Sequence, residues 1–341
     1  MRRPLPSHTL VVLVALVGLA AACSSSTSTT GTGSGTGTGD RTTTDGTAPT
    51  GTDAPGAGAA ITNTWVADGT VDPTALPIGD GRSSTADAAV GTVYACQGGG
   101  GVGGANVDGP WIHGDTFDRT AKVHVQGDVS WPSADFTVTI DGGARTIRTN
   151  DLPVETHTGT FPIASGDPAY AYDQNPNHIS EKSSTLTLPV APTAAGAVGC
   201  LPGGAIGILA NGVFLFDALD GEGRDAVAHE TQDLCDGHPA PGDEYHYHDV
   251  PSCLVDAATG PSTVVGWADD GYPIVVERDA GGRLPTNADL DECHGRTSPV
   301  LVDGQAVTTY HYSATLEFPY TLGCFHGTDA MQQQARGGPP T

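Results

Sequence analysis

Apolar residues recur at every second position in "AKVHVQGDVSW" from Ala121, "FTVTI" from Phe136, "STLTLPV" from Ser184 and "AIGILANGVFLF" from Ala205. A period of two is the repeat of an extended chain buried on one side, and the β-branched residues in these runs favour the same conformation. Glycine and proline, 48 and 25 of 341 residues, interrupt the runs roughly every ten positions, as turns between strands do. No long stretch carries apolar residues at helical spacing. The pattern predicts a mainly β protein with little helix.

The strictest alternation is "DEYHYHDVPSC", Asp243 to Cys253. Successive side chains of a strand face opposite ways, so His246 and His248 share one face and Tyr245 and Tyr247 the other. Two residues of strand separate the imidazoles by about 6.5 to 7 Å at Cβ, a distance from which both rings can lean onto one ion.

The patterning also repeats. "GVFLFDALDGEGR" from Gly212 aligns without gaps on "GYPIVVERDAGGR" from Gly271. In both units a cysteine follows, Cys235 in "DLCDGH" and Cys293 in "DECHGR", then a Tyr-His-Tyr run at Tyr245 or Tyr310, then a second cysteine, Cys253 or Cys324. Two copies of one supersecondary unit are expected to pack about a pseudo-twofold axis. By that logic Cys235 pairs with Cys253 and Cys293 with Cys324, leaving Cys96 with Cys200; exchange between the units is the alternative. The spacing of the six fits neither a zinc finger nor a redox CxxC motif.

The first 22 residues carry Arg2 and Arg3, the apolar run Leu10 to Leu19 and a small-residue stretch ending before Cys23, which reads as an export signal of the lipoprotein type with Cys23 as the lipidated residue. The apolar run is too short for a permanent span. Residues 23–60 are Ser, Thr, Gly, Ala and Pro with a few charges; from Ser24 on they include no aliphatic residue larger than alanine, and they are expected to form a disordered tether of about 30 to 35 Å root-mean-square length. A β region over 61–172, a second domain over 173–327 and a flexible tail over 328–341 follow. Without the signal, 39 acidic residues face 12 basic ones. That balance repels nucleic acid and concentrates cations, and no nucleotide-binding or nucleophile-elbow motif is present.

Together, "EYHYHDVPSC", "DDGYPI", "DLDECHGR", "TTYHYS" and "FPYTLGC" resemble the YHYH family of secreted bacterial proteins, over about Asn175 to Gly327. The resemblance implies an exported, cysteine-containing domain and no particular reaction. One departure is "GVFLFD" in the first unit where the second has the proline of "GYPIVV".

The leading functional expectation is a membrane-tethered, extracytoplasmic protein that binds copper or zinc through His246 and His248. His311, which takes the place of His246 in the second unit, is the natural third ligand; His294, Asp249, His238 and His229 are further candidates. Ser313 stands where the second histidine would be, so the duplicated site is asymmetric. Asp217, Asp220, Glu222 and Asp225 could form a calcium loop without EF-hand spacing. "HETQD" from His229 begins like a zinc-protease helix but ends in Asp233. Two other classes stand beside this one: a metal-dependent extracytoplasmic enzyme, and a disulfide-stapled adhesion or carbohydrate-binding module in which the histidines only donate to backbone. A soluble secreted form is the alternative to the lipid anchor, and a protein or small-molecule partner is left open.

Overall fold

The computed structural model describes residues 71–98, 104–105, 107–258 and 261–328. The expected export signal, lipidated Cys23, tether and tail beyond Thr328 lie outside the described residues. The chain is mainly β, as the alternation predicts; α1 (Ala226–His229) and α2 (Ser252–Ala257) are the α-helices among the described residues. Neither is long enough to cross a membrane.

The strands from Phe136 onward are β1 (Phe136–Asp141), β2 (Ala144–Thr149), β3 (Ser184–Pro189), β4 (Ala194–Gly199), β5 (Ala205–Leu209), β6 (Phe214–Phe216), β7 (Gly237–Ala240), β8 (Glu244–Tyr247), β9 (Ser262–Ala268), β10 (Pro273–Glu277), β11 (Gly295–Val302), β12 (Gln305–Ser313) and β13 (Phe325–Gly327). Eight of them form one mixed sheet in the order β7-β8-β6-β5-β9-β10-β12-β11. Each half is built alike: an antiparallel hairpin next to the midline, β5–β6 or β9–β10, pairs in parallel with the Tyr-His-Tyr strand, which forms a second hairpin at the edge. Leu215 pairs with Tyr247, and Ile274, its counterpart, with Tyr312. The halves meet where β5 and β9 run antiparallel, Ile208 opposite Trp267.

That midline depends on two glycines. A Cβ on Gly207 would stand 2.6 Å from the Trp267 carbonyl oxygen, and one on Gly266 would stand 2.5 Å from that of Ile208. Both sit at register shifts in their own hairpins, where a missing side chain lets the neighbouring backbone close in.

One face of the sheet carries the larger apolar cluster. Tyr245, Tyr247, Tyr310 and Tyr312 point into it with Leu215 and Ile274, and Leu76, Val93, Trp111 and Phe117, which precede the numbered strands, join them. On the opposite face, Ile147, Leu186 and Leu188 of the three-stranded sheet β1-β2-β3 pack on Ile208, Phe214 and Trp267. The run from Ala121 departs from expectation: it makes only single bridges, Val125 to Asp233 and Val129 to Thr158. Gly127 breaks it with φ +144° in close approach to Thr160.

The sulfurs pair as the repeat logic has it: Cys96–Cys200, Cys235–Cys253 and Cys293–Cys324.

Candidate metal centre

Tyrosines and histidines of β8 part company as the alternation requires. Tyr245 and Tyr247 enter the large apolar cluster, where the Tyr245 hydroxyl donates to Asp233 at 2.8 Å and Asn211 donates to the Tyr247 oxygen at 2.9 Å. His246 and His248 turn to the other face and meet His238, which lies directly opposite His246 on the neighbouring β7. One ring nitrogen from each of the three falls within 4.8 Å of the others, and all three residues are at most 4 % exposed. Phe216 of β6 stacks on the His246 ring at 3.9 Å between centroids.

Backbone carbonyls set the protonation of two of these rings. Nδ1 of His246 donates to the Glu244 carbonyl at 3.2 Å, and Nδ1 of His248 to the Asp217 carbonyl at 2.5 Å. A carbonyl only accepts, so both Nδ1 atoms carry hydrogen and both Nε2 atoms present lone pairs when the rings are neutral. Those two Nε2 atoms lie 3.1 Å apart. Facing lone pairs repel unless a proton or a cation lies between them, and two nitrogens bound to one ion at about 2.0–2.1 Å come to a similar separation in tetrahedral geometry. Carbonyl-bound Nδ1 is also the usual outer support of a metal-ligating imidazole.

A carboxylate completes the cluster. Glu230, just past α1, places Oε2 3.2 Å from Nε2 of both His238 and His248. Neither this oxygen nor either nitrogen of His238 makes a well-aligned hydrogen bond, although all are buried. Buried polar atoms that converge without hydrogen bonds mark a place built for something further. Burial alone would raise the Glu230 carboxyl, but the imidazoles of His238 and His248 outweigh it and hold the group well below the ordinary carboxylate range. Burial, with its two neighbouring imidazoles, pushes His246 well down, whereas the adjacent Glu230 carboxylate overcomes burial and raises His248. Three imidazoles with one carboxylate suit zinc, copper or another borderline transition ion, so the residues fit the group the sequence suggested.

The other sequence candidates stand elsewhere. His311 lies on β12, five strand spacings from β8 across the sheet, about 24 Å at about 4.8 Å each. It serves the second half, where its Nδ1 bonds the Thr309 carbonyl and its Nε2 meets Glu277 at 3.1 Å. The third member of the triad is therefore His238, the cross-strand neighbour. His294 packs its Nε2 against the Thr315 hydroxyl at 3.0 Å, and burial lowers its pKa to about 3. Asp249 pairs with Arg119 at 2.7 Å, and His229 lies between Asp108 and Asp80. The acids of the proposed calcium loop do not converge: Asp220 is closed by the amides of Glu222 and Arg224 and by the Arg224 guanidinium, Asp217 takes the Leu219 amide, and Asp225 takes the amides of Gly79 and Ala228. Glu230 lies in "HETQD", whose broken likeness to a zinc-protease helix carries no signal for a carboxylate beside the β8 histidines.

The triad and Glu230 line a cavity of about 620 Å³. Residues 185–282 match the family model described as YHYH protein, a span that begins in β3, ends just past β10 and contains all four of these residues. The chain thus carries a YHYH domain. No curated protein and no solved structure gives a significant match to it.

Proposed function

We propose that this YHYH-domain chain is an exported metal-binding protein in which His238, His246 and His248 ligate one copper or zinc ion, with Glu230 beside it. The observation that carries the reading is the pair of Nε2 atoms 3.1 Å apart, which present facing lone pairs while the rings are neutral because backbone carbonyls hold the hydrogen on Nδ1. In the other half of the sheet no second imidazole faces His311, whose Nε2 goes to Glu277 instead. Three disulfides accord with an oxidising compartment outside the cytoplasm; the first 22 residues read as a signal cut ahead of Cys23, and a lipid on Cys23 would hold the domain at a membrane.

Elemental analysis of the purified native chain tests the reading. One equivalent of copper or zinc is expected in the native protein and none after joint replacement of His246 and His248 by alanine; metal absent from both overturns it. The cavity over the triad favours, as a second reading, an enzyme that uses the ion as a Lewis acid. Turnover that vanishes with the metal would distinguish it from a carrier.

A further inference from the structure

The cavity is far larger than an ion needs. A water molecule occupies about 30 Å³ of liquid, whereas the space above the triad measures about 620 Å³, within the range of about 300–1,000 Å³ typical of small-molecule sites. Its lining includes His238, with both nitrogens buried and without a well-aligned hydrogen bond, and the Glu230 oxygen in the same state. Leu201, Leu219 and Phe216 supply apolar wall, so a molecule entering would be partly desolvated.

Apart from its three histidines, the ionisable lining is acidic. Asp173, Asp217 and Asp220 join Glu230, and no lysine or arginine lines the cavity among the described residues. Arg224, behind the wall, neutralises Asp220 at 2.8 Å. Asp173 and Asp217 receive only neutral donors, the Thr231 hydroxyl and the Leu219 amide. An anion that reached the triad would share a low-dielectric cleft with these two carboxylates, where like charges repel far more strongly than in water.

Resting on the metal reading above, we infer that the cavity is a binding site for a small nitrogen base, an amine or imidazole whose uncharged donor nitrogen reaches the triad's ion while any ammonium group faces Asp173 and Asp217, and that the same walls exclude anions. An ion left bare to the cleft would attract any small anion; the acidic lining confers selectivity that the ligands alone do not.

Copper(II)-loaded protein titrated with imidazole and, separately, with azide tests this through the visible and electron-spin spectra of the ion. Saturable change with imidazole is expected, together with azide binding that tightens about tenfold or more, a change of about 1.4 kcal/mol, when Asp173→Asn and Asp217→Asn are combined. Asparagine can still accept the Thr231 and Leu219 bonds, so the fold is not at stake. No response to imidazole by the loaded wild type overturns the inference, as does azide binding equal in wild type and variant. Failure of the parent reading shows earlier and separately, as no copper taken up before any titrant is added.

Discussion

Whether a buried imidazole serves a metal or a network turns on what faces each nitrogen. His246 and His311 illustrate this, since both donate Nδ1 at 3.2 Å to the carbonyl two residues earlier on their own strand. Beyond Nε2, however, His246 finds another imidazole and His311 finds a carboxylate. The shared face of His246 and His248 was legible from the alternation alone. That His238 and not His311 joins them was not, because strand pairing decides it and neither residue's local sequence records the pairing. His294 uses its ring in a third way. It sits after Cys293 in the left-handed region at φ 66°, fully buried, with its pKa lowered to about 3 by desolvation. Folded protein therefore holds this ring neutral where the unfolded chain, at an ordinary value near 6.5, takes up a proton. The stability it confers is complete above pH 6.5 and is lost as pH falls from there toward 3, by about 2 kcal/mol between pH 7 and pH 5. Asparagine tolerates the left-handed conformation and does not titrate. His294→Asn should therefore weaken the acid dependence by about that amount in denaturant unfolding at the two pH values, and an unchanged dependence would show that the ring is protonated in the fold.

At the scale of elements, the two halves of the sheet solve the same electrostatic problem with different cations. Arg296 stands opposite His311 just as His238 stands opposite His246, and its guanidinium grips Glu277 through Nε at 2.9 Å and Nη2 at 2.8 Å. Ser313, in the position of His248, donates to the same carboxylate at 2.6 Å. A carboxylate and an imidazole thus lie against a built-in positive charge in one half and against two further imidazoles in the other. Arg296→His combined with Ser313→His should raise metal uptake from one equivalent to two, and His238→Arg should abolish it while leaving the circular dichroism spectrum intact; elemental analysis of both variants decides. Uptake that stays at one equivalent in the first variant would mean that the likeness of the halves ends at the backbone. The midline has its own signature in Gly207 and Gly266, each five residues before the turn glycines Gly212 and Gly271 that revealed the repeat. The sequence alignment starts at those turns and so misses the pair. With a backbone oxygen 2.5–2.6 Å from where either added methyl would sit, Gly207→Ala and Gly266→Ala should each cost about 1–3 kcal/mol in chemical unfolding. A loss at one glycine alone would contradict the equivalence of the two strands.

For the whole molecule, class and cross-links were readable because both are local. Alternation marks strands within a few residues, and each unit's second cysteine lies 18 or 31 residues beyond its partner. The contribution of residues 71–117 to the main core was not readable, since Trp111, whose indole N–H donates to the Ala228 carbonyl at 2.8 Å, reaches across 117 positions of sequence. The three cross-links also bear unequally on the site. Cys235–Cys253 brackets β7 and β8 and with them all three histidines; Cys293–Cys324 brackets the arginine-neutralised hairpin of the other half; Cys96–Cys200 closes a separation of 104 residues beside the cavity. A bond that closes a loop stabilises by restricting the unfolded chain, about 3–4 kcal/mol for the two shorter loops. By that effect alone, removing either short-range bridge should weaken the fold to a similar degree. The consequences for metal should differ, because only one of them fixes the register in which His238 lies opposite His246. Replacing Cys235 and Cys253 by alanine should lower metal affinity, measured by competition with a chelator, well beyond the effect of replacing Cys293 and Cys324, even where chemical unfolding gives the two variants equal stability. Equal affinity losses would instead mean that the triad is held by the sheet as a whole and that its hairpin needs no separate clamp.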